Sequence, residues 1–289
     1  MKIEIHPNPA RDVDYRYTKE VVSLLAEYQT EIYLYPPMSP GVEWKPFAES
    51  LGASPEPCSH PDLIVVLGGD GSIMRAAHRA APLGVPMVGV NLGRVGYLAE
   101  LDPGEIGMIR RVFTGDYRIE KRRMLRVLPM REGKAVGRER TALNDAVLSH
   151  GKVSRLVETE LFCGGSPLGR FRSDGFVVST PTGSTAYSLS AGGPVIDPLL
   201  RGFCLVPICP HSLTARPVIV PDSAEVELRY LSPACMKAYL TVDGEESAEL
   251  SAGDSVKISS SDRTTDLIRF DRDADRNFYR LLREKMSDI

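Results

Sequence analysis

The chain has 289 residues, enough for one large or two ordinary domains, and its 43% hydrophobic and 25% charged residues are ordinary for a globular protein with a sizeable core. Lys and Arg number 35 against 38 Asp and Glu, a formal charge of -3, so bulk electrostatic binding to nucleic acid has no support. The start, MKIEIHPNPA, shows neither an apolar signal core nor an Arg-rich leader, the uncharged stretch 175–196 is too rich in Ser, Thr and Gly to span a membrane, and five cysteines without CxxC spacing suggest neither a disulfide framework nor a zinc site. A cytoplasmic protein without membrane or nucleic-acid partners is expected.

Along the chain, KIEIHP reads as a strand and residues 12–29 as a helix with Val21, Val22, Leu25 and Tyr28 on one face. EIYLYP is strand-like and DLIVVLGG is a buried strand. SIMRAAHRAA is helical, with Ile73, Ala76, Ala77 and Ala80 on one face. VPMVGVN is a further strand, and GEIGMIRRVFTG a helix ended by Gly115. Continuous apolar strands alternating with helices predict a parallel sheet covered on both faces. From Tyr117 the pattern changes to short period-two segments, among them YRIEKRRMLRV, RLVETELF, AEVELRY, KAYLTVDG and SVKIS, which predict a mainly β second domain. Helical periodicity returns with Phe278, Leu281 and Leu282. The expected organisation is an α/β domain over 1–115, a mainly β domain over 116–269, and a C-terminal helix within 270–289 packing back on the first domain.

The chemistry starts at GGDGS. Its bland reading is a tight turn in which Asp70 caps the next helix. Its functional reading is a loop at the C-terminal end of a parallel strand, where Gly68, Gly69, Gly71 and Ser72 let a phosphate approach backbone N–H groups at a helix start. Neither GxxxxGK[ST] nor GxGxxG is present, which removes the P-loop and the dinucleotide fingerprint. With no P-loop lysine nearby, Asp70 is better cast as a base that orients an acceptor hydroxyl and takes its proton as a phosphoryl group is attacked. KRRMLR (121–126) is either a solvated strand face or a phosphate contact. His78 reads as structural, and His211 in PICPHSLTARP as a turn residue or a site neighbour.

Three later stretches, NLGRVGYLAEL (91–101), LNDAVL (143–148) and RSDGFVVSTPTGSTAYSLSAGGPVIDP (172–198), follow GGDGS in an order that closely resembles the NAD kinase family, and PICPHSLTARPVIVPD and VDGEE extend the match over nearly the whole chain. GGDGS alone would not suffice, since lipid kinases and phosphofructokinases carry a similar loop. The resemblance implies the two-domain NAD kinase/diacylglycerol kinase-like fold and transfer of the γ-phosphoryl group of ATP, or of polyphosphate, to the 2′-hydroxyl of the adenosine ribose of NAD. It makes Asp70 the catalytic base and Gly71 a substrate contact. Ser72 departs from the usual threonine but keeps the hydroxyl. Asn144 and Asp145 would hold the ribose hydroxyls, and Thr185, Ala186, Tyr187, Ser188 and Ser190 the adenine and ribose. Asp174 would be a further substrate contact acting across a subunit boundary, which implies a homo-oligomer, dimer or tetramer. Arg172 stands where oxidised and reduced dinucleotides are told apart, and would favour NAD. Arg75 and Arg155 match positions near the phosphates or the substrate entrance, or are ordinary solvated residues. Glu245 stands where many members carry glutamine, adding a negative charge. A divalent cation, Mg²⁺, is implied as cofactor, with its ligands unassigned. The rival readings are a lipid or sugar kinase on the same scaffold and a non-catalytic NAD-binding regulator.

Overall fold

The structure, a computed structural model of the chain, describes all residues except 38, 40, 95, 151–155, 233–235, 271–277 and 288–289. It divides into two units, Met1–Lys121 with Thr265–Ile289, and Arg122–Thr264. The chain passes from one to the other inside two long strands, Arg118–Arg131 and Ser255–Arg269.

The first unit is built on parallel strands in the order Met87–Asn91, Leu63–Gly68, Lys2–His6, Glu31–Leu34, with Leu267 pairing beside Met87. The expected strands are all present. Successive side chains point to opposite faces. Leu63, Val65 and Leu67 join Val21 and Leu25 of the helix Arg16–Leu25 and Ile106, Ile109 and Val112 in one core. The helix Asp70–Leu83 buries Ile73, Ala76, Ala77 and Ala80 and packs on Leu63–Gly68 and Met87–Asn91. The expected covered parallel sheet is thus observed.

Three local differences from the sequence reading have physical causes. The helix expected over 12–29 spans only Arg16–Leu25, because Asp14 and Tyr15 adopt positive φ just before it. Residues Pro103–Thr114 wind as a 3₁₀ helix. Their buried side chains, Ile106, Ile109 and Val112, recur every third residue, the spacing at which a three-residue turn stacks side chains. A short helix, Trp44–Ser50, carries a single buried residue, Ala48, and leaves no periodic signal.

The second unit holds an antiparallel sheet in the order Val218–Pro221, Gly202–Ile208, Gly175–Ser179, Asp145–His150, Ala238–Val242, Glu245–Leu250. Against it lie the antiparallel strands Ser166–Ser173, Val157–Cys163, Val226–Tyr230 and the first half of Ser255–Arg269. Leu148, Phe176, Val178, Leu205 and Leu240 of one sheet share a core with Leu161, Leu228 and Val256 of the other. The mainly β expectation for this domain is therefore met by two packed sheets.

One buried ion group braces the first unit. Glu4, fully buried on Lys2–His6, meets His6 Nε2 at 2.7 Å, Arg79 Nε at 2.7 Å and the Cys58 N–H at 2.8 Å. Burial opposes ionisation of Glu4, but hydrogen bonds from His6 and Arg79 outweigh it and hold the carboxyl at about 2. Burial pushes the His6 imidazole down, so Arg79 supplies the charge near neutrality. A carboxyl held below its ordinary 4.5 adds stability that is full above 4.5 and lost as the pH falls towards 2. Glu4→Gln should cost about 3 kcal/mol in denaturant unfolding at pH 7, with the gap to the parent chain closing below pH 4.

Candidate active site

In the first unit the chain leaves Leu63–Gly68 through Gly69 and starts its next helix at Asp70. Asp70 does not cap that helix. Its carboxylate reaches sideways to the loop after Met87–Asn91, where Oδ2 accepts the Tyr97 N–H at 2.8 Å and Oδ1 the Leu98 N–H at 3.1 Å. Gly96 makes this approach possible: a Cβ there would lie 2.8 Å from Asp70 Cγ and overlap the carboxylate. The glycines of GGDGS serve different ends. A Cβ at Gly68 would strike Ser72, whereas one at Gly69 would meet nothing within 4 Å, so that side of the loop is open. Ser72 Oγ accepts Asn8 Nδ2 at 2.9 Å and Arg75 Nη2 at 3.4 Å. Gly71 and Arg75 are exposed. A half-buried carboxylate thus stands beside an open helix start whose first N–H groups suit phosphate oxygens.

In the second unit Asp145 begins the strand Asp145–His150, and Asn144 lies in the bend just before it. Their backbone is fixed by Asp243, whose carboxylate accepts the N–H groups of Leu143 at 2.7 Å, Asn144 at 2.8 Å and Asp145 at 3.1 Å. Asp243 and Gly244 both have positive φ, the signature of a tight hairpin turn between Ala238–Val242 and Glu245–Leu250. From the other side the Thr180 N–H donates to the Asn144 carbonyl at 2.9 Å, and Thr180 Oγ1 to the Leu143 carbonyl at 2.6 Å. Gly183 lies flat on Asn144, its notional Cβ 2.7 Å from the Asn144 Cα.

The TGSTAYSLS segment follows as a 3₁₀ turn, Thr182–Thr185, and a short helix, Tyr187–Ser190. Tyr187 and Ser190 are exposed, Thr185 and Ala186 half-buried and Ser188 fully buried, so the five expected contacts do not share one surface. Thr185 Oγ1 is engaged at 3.2 Å by the Thr182 carbonyl. Tyr187 shares its surroundings with Asp145 and Asp174: burial, then the charges of Cys209, Asp145 and Asp174, push its hydroxyl up. Asp174 follows the strand Ser166–Ser173, half-exposed and 3.9 Å from His150 Nε2. Arg172 is exposed, and its carbonyl accepts the His211 N–H at 2.8 Å, which puts His211 beside this segment. The extra charge of Glu245 is matched by Arg140, 2.8 Å away. Arg155 lies outside the described residues. The KRRMLR cations are mostly paired: Arg123 with Asp222 at 3.0 Å and Arg126 with Glu139 at 2.6 Å, while buried Arg122 donates to Thr182 Oγ1 at 3.3 Å.

Two supports of these candidate residues carry little signal in the sequence. Asp243 was visible only as half of an Asp-Gly hairpin signal in VDGEE, and the Tyr97 and Leu98 amides carry no residue-type signal at all. Among the described residues no cluster of three or more His, Cys, Asp or Glu could hold a metal ion.

Asp145 is nine-tenths or more buried beside Asp243, and burial first, then the Asp243 charge, raises its carboxyl to about 7. A folded-state value raised above the ordinary 3.8 means that stability is lost as the pH climbs from 3.8 through 7. Asp145→Asn should therefore be more stable than the parent at pH 8, by up to about 4 kcal/mol, with the advantage vanishing near pH 4 in parallel denaturant titrations.

The matches to known proteins agree with this architecture. Residues 13–117 match the family description "ATP-NAD kinase N-terminal domain" and residues 143–270 "ATP-NAD kinase C-terminal domain". The NAD kinase of Natranaerobius thermophilus is 36% identical over 97% of this chain and 96% of its own. That of Heliobacterium modesticaldum is 44% identical over 78% of each. Among solved structures, yeast NADH kinase complexed with NADH superposes with a TM-score of 0.83 at 24% identity, over 99% of this chain and 87% of that one. An Archaeoglobus fulgidus NAD kinase in complex with ATP gives 0.71 at 24% identity over 100% of both, and both likenesses speak to the fold. The two matched domains and the near-full-length relatives establish that the chain belongs to the ATP-NAD kinase family.

Proposed function

We propose that the chain transfers the γ-phosphoryl group of ATP to the 2′-hydroxyl of the adenosine ribose of NAD, with Asp70 as the base. The observation that carries this reading is the seating of Asp70: two backbone N–H groups fix both carboxylate oxygens where a parallel strand gives way to a helix. A carboxylate so held cannot swing away, and its remaining lone pairs can receive the hydroxyl proton in an in-line displacement. Gly68, Gly69, Gly71 and Ser72 would receive the donor phosphates, with Arg75 at their margin, so that the first unit acts as the phosphate-donor domain. The second unit would bind NAD. There Asn144 and Asp145 hold the ribose diol, the amide giving and accepting hydrogen bonds and the carboxyl of Asp145, near pH 7, able to do either. Thr185, Ala186, Tyr187, Ser188 and Ser190 would accommodate the adenine and ribose, and Arg172 would favour the oxidised dinucleotide.

A divalent cation fits this reading best as part of the ATP substrate. Magnesium is ordinarily held by one or two carboxylates together with substrate phosphates, and the described residues offer no cage of their own. When bound it would neutralise charge building on the phosphates. A homo-oligomer in which Asp174 serves a neighbouring subunit is supported by the exposed apolar side chains of the second unit, among them Leu189, Leu199, Leu200, Leu213 and Ile219. The unpatterned cysteines favour a cytoplasmic location. A lipid or sugar acceptor and a non-catalytic regulator are not favoured, because both domains match the ATP-NAD kinase family.

Incubation with NAD and Mg-ATP, with polyphosphate run in parallel as donor, should yield NADP. Asp70→Asn should still bind NAD by calorimetry yet lose about 10²–10⁴-fold in kcat, and full activity would remove Asp70 as the base. Gly96→Ala, which pushes a methyl into the Asp70 carboxylate, should lower kcat by about 10²-fold with an unchanged far-ultraviolet circular dichroism spectrum.

A further inference from the structure

The loop that seats Asp70 is itself held from behind by a residue far along the chain. Arg269, at the end of Ser255–Arg269, is only 8% exposed. Its Nη1 donates to the Leu98 carbonyl at 3.0 Å and to Glu100 Oε2 at 3.2 Å. Its Nε and Nη2 donate to Glu120 Oε1, each at 3.1 Å. Glu100 is fixed in turn, since its Oε1 accepts the Phe270 N–H at 3.0 Å. All these residues belong to the first unit.

Leu98 is the common element. Its N–H points to Asp70 Oδ1 and its carbonyl to Arg269, so the two bonds sit on adjacent peptide planes hinged at the Leu98 Cα. The rest of the loop is anchored to Met87–Asn91: the N–H groups of Glu100 and Leu101 both donate to the Gly89 carbonyl at 3.0 Å. Those bonds fix the chain after Leu98. Only the Arg269 bond grips the Leu98 carbonyl among those described, and a guanidinium sharing four donor contacts with one carbonyl and two carboxylates has little freedom to turn. The helix Phe278–Ser287 covers the neighbouring residue, with the Phe278 ring 5.8 Å from that of Tyr97 and Lys285 Nζ 4.1 Å above it.

We propose that Arg269 is a positioning residue for phosphoryl transfer, holding Leu98 so that its N–H fixes the aim of the Asp70 carboxylate; this rests on Asp70 as the base. A purely structural ion group would lower stability and leave the chemistry of folded molecules alone. A positioning group changes kcat and spares the binding of both substrates.

The test compares Arg269→Lys, Glu120→Gln and Asp70→Asn in the full chain, with kcat, the KM for NAD and for ATP, and unfolding midpoints measured for each. Arg269→Lys should lose about tenfold in kcat while both KM values stay within about twofold. Glu120→Gln removes one charge from the same group but keeps an oxygen to accept from Nε and Nη2, so the grip on the Leu98 carbonyl survives and kcat should stay within about twofold despite a lower midpoint. In the Asp70→Asn background, Arg269→Lys should change kcat by less than about twofold, because the aim it controls no longer matters. Equal kcat losses in Glu120→Gln and Arg269→Lys, or a full tenfold loss in the Asp70→Asn background, would overturn the proposal. The activity of Asp70→Asn alone reports on the base, so the two readings fail separately. If Arg269→Lys does not fold, the triple variant Arg269→Met, Glu100→Gln, Glu120→Gln removes the three charges together, and the same loss in kcat is expected.

Discussion

A carboxylate that collects backbone N–H groups from a distant part of the chain is the interaction on which the geometry of both candidate sites depends. Asp70 takes two, from Tyr97 and Leu98, and Asp243 takes three, from Leu143, Asn144 and Asp145. A hydrogen bond to a charged group is worth about 1.5–3 kcal/mol, and an N–H left unpaired in a buried place costs about 1–3. These contacts are therefore strong enough to dictate where a loop runs. In the first unit the arrangement aims the acid itself. In the second it fixes the backbone of Asn144 and Asp145, and the acid itself stays behind them as a clamp.

The clamp has an electrostatic consequence. Asp243 lies against Asp145, and burial together with that neighbouring charge raises the Asp145 carboxyl to about 7. The unit thus tolerates an unfavourable arrangement at the place where the proposed reading puts the ribose diol. Local cost concentrated at a binding position is a common mark of function. By contrast, Glu4 is equally buried but fully paired, and its carboxyl is drawn down to about 2. The one group strengthens the fold and the other weakens it above its own titration.

The amino-acid pattern displays some of this openly and hides the rest. The parallel strands of the first unit are legible because strands buried on both faces are apolar without interruption, as in Leu63–Gly68. Gly202–Ile208 is harder to read because Pro207 sits within it. The structure accommodates that proline because the partner Val218–Pro221 stops pairing at Leu205. Ser166–Ser173 is largely exposed, and its inward positions from Gly169 onward carry only one large apolar residue, Phe171, so its alternation is faint in the sequence. At the site, Asp70 stands out because glycines flank it at a strand end. Asp243 and Arg269 do not, since they act on main-chain atoms 99 and 171 residues away, and a backbone amide leaves no trace in the identity of its residue. The charge of Glu245 is answered by Arg140, a partner 105 residues away that the sequence does not point to.

The first unit is discontinuous, made of Met1–Lys121 and Thr265–Ile289 with the whole of the second unit inserted between them. During synthesis on a ribosome, the nascent strands around Leu63–Gly68 emerge long before Leu267 and Arg269 exist. The early segment must wait, its apolar sheet lacking one neighbour, while the inserted β-rich unit is translated and folds as a body of its own. Assembly of the first unit is thus coupled to synthesis of Ser255–Arg269, the strand that brings the guanidinium behind the Asp70 loop.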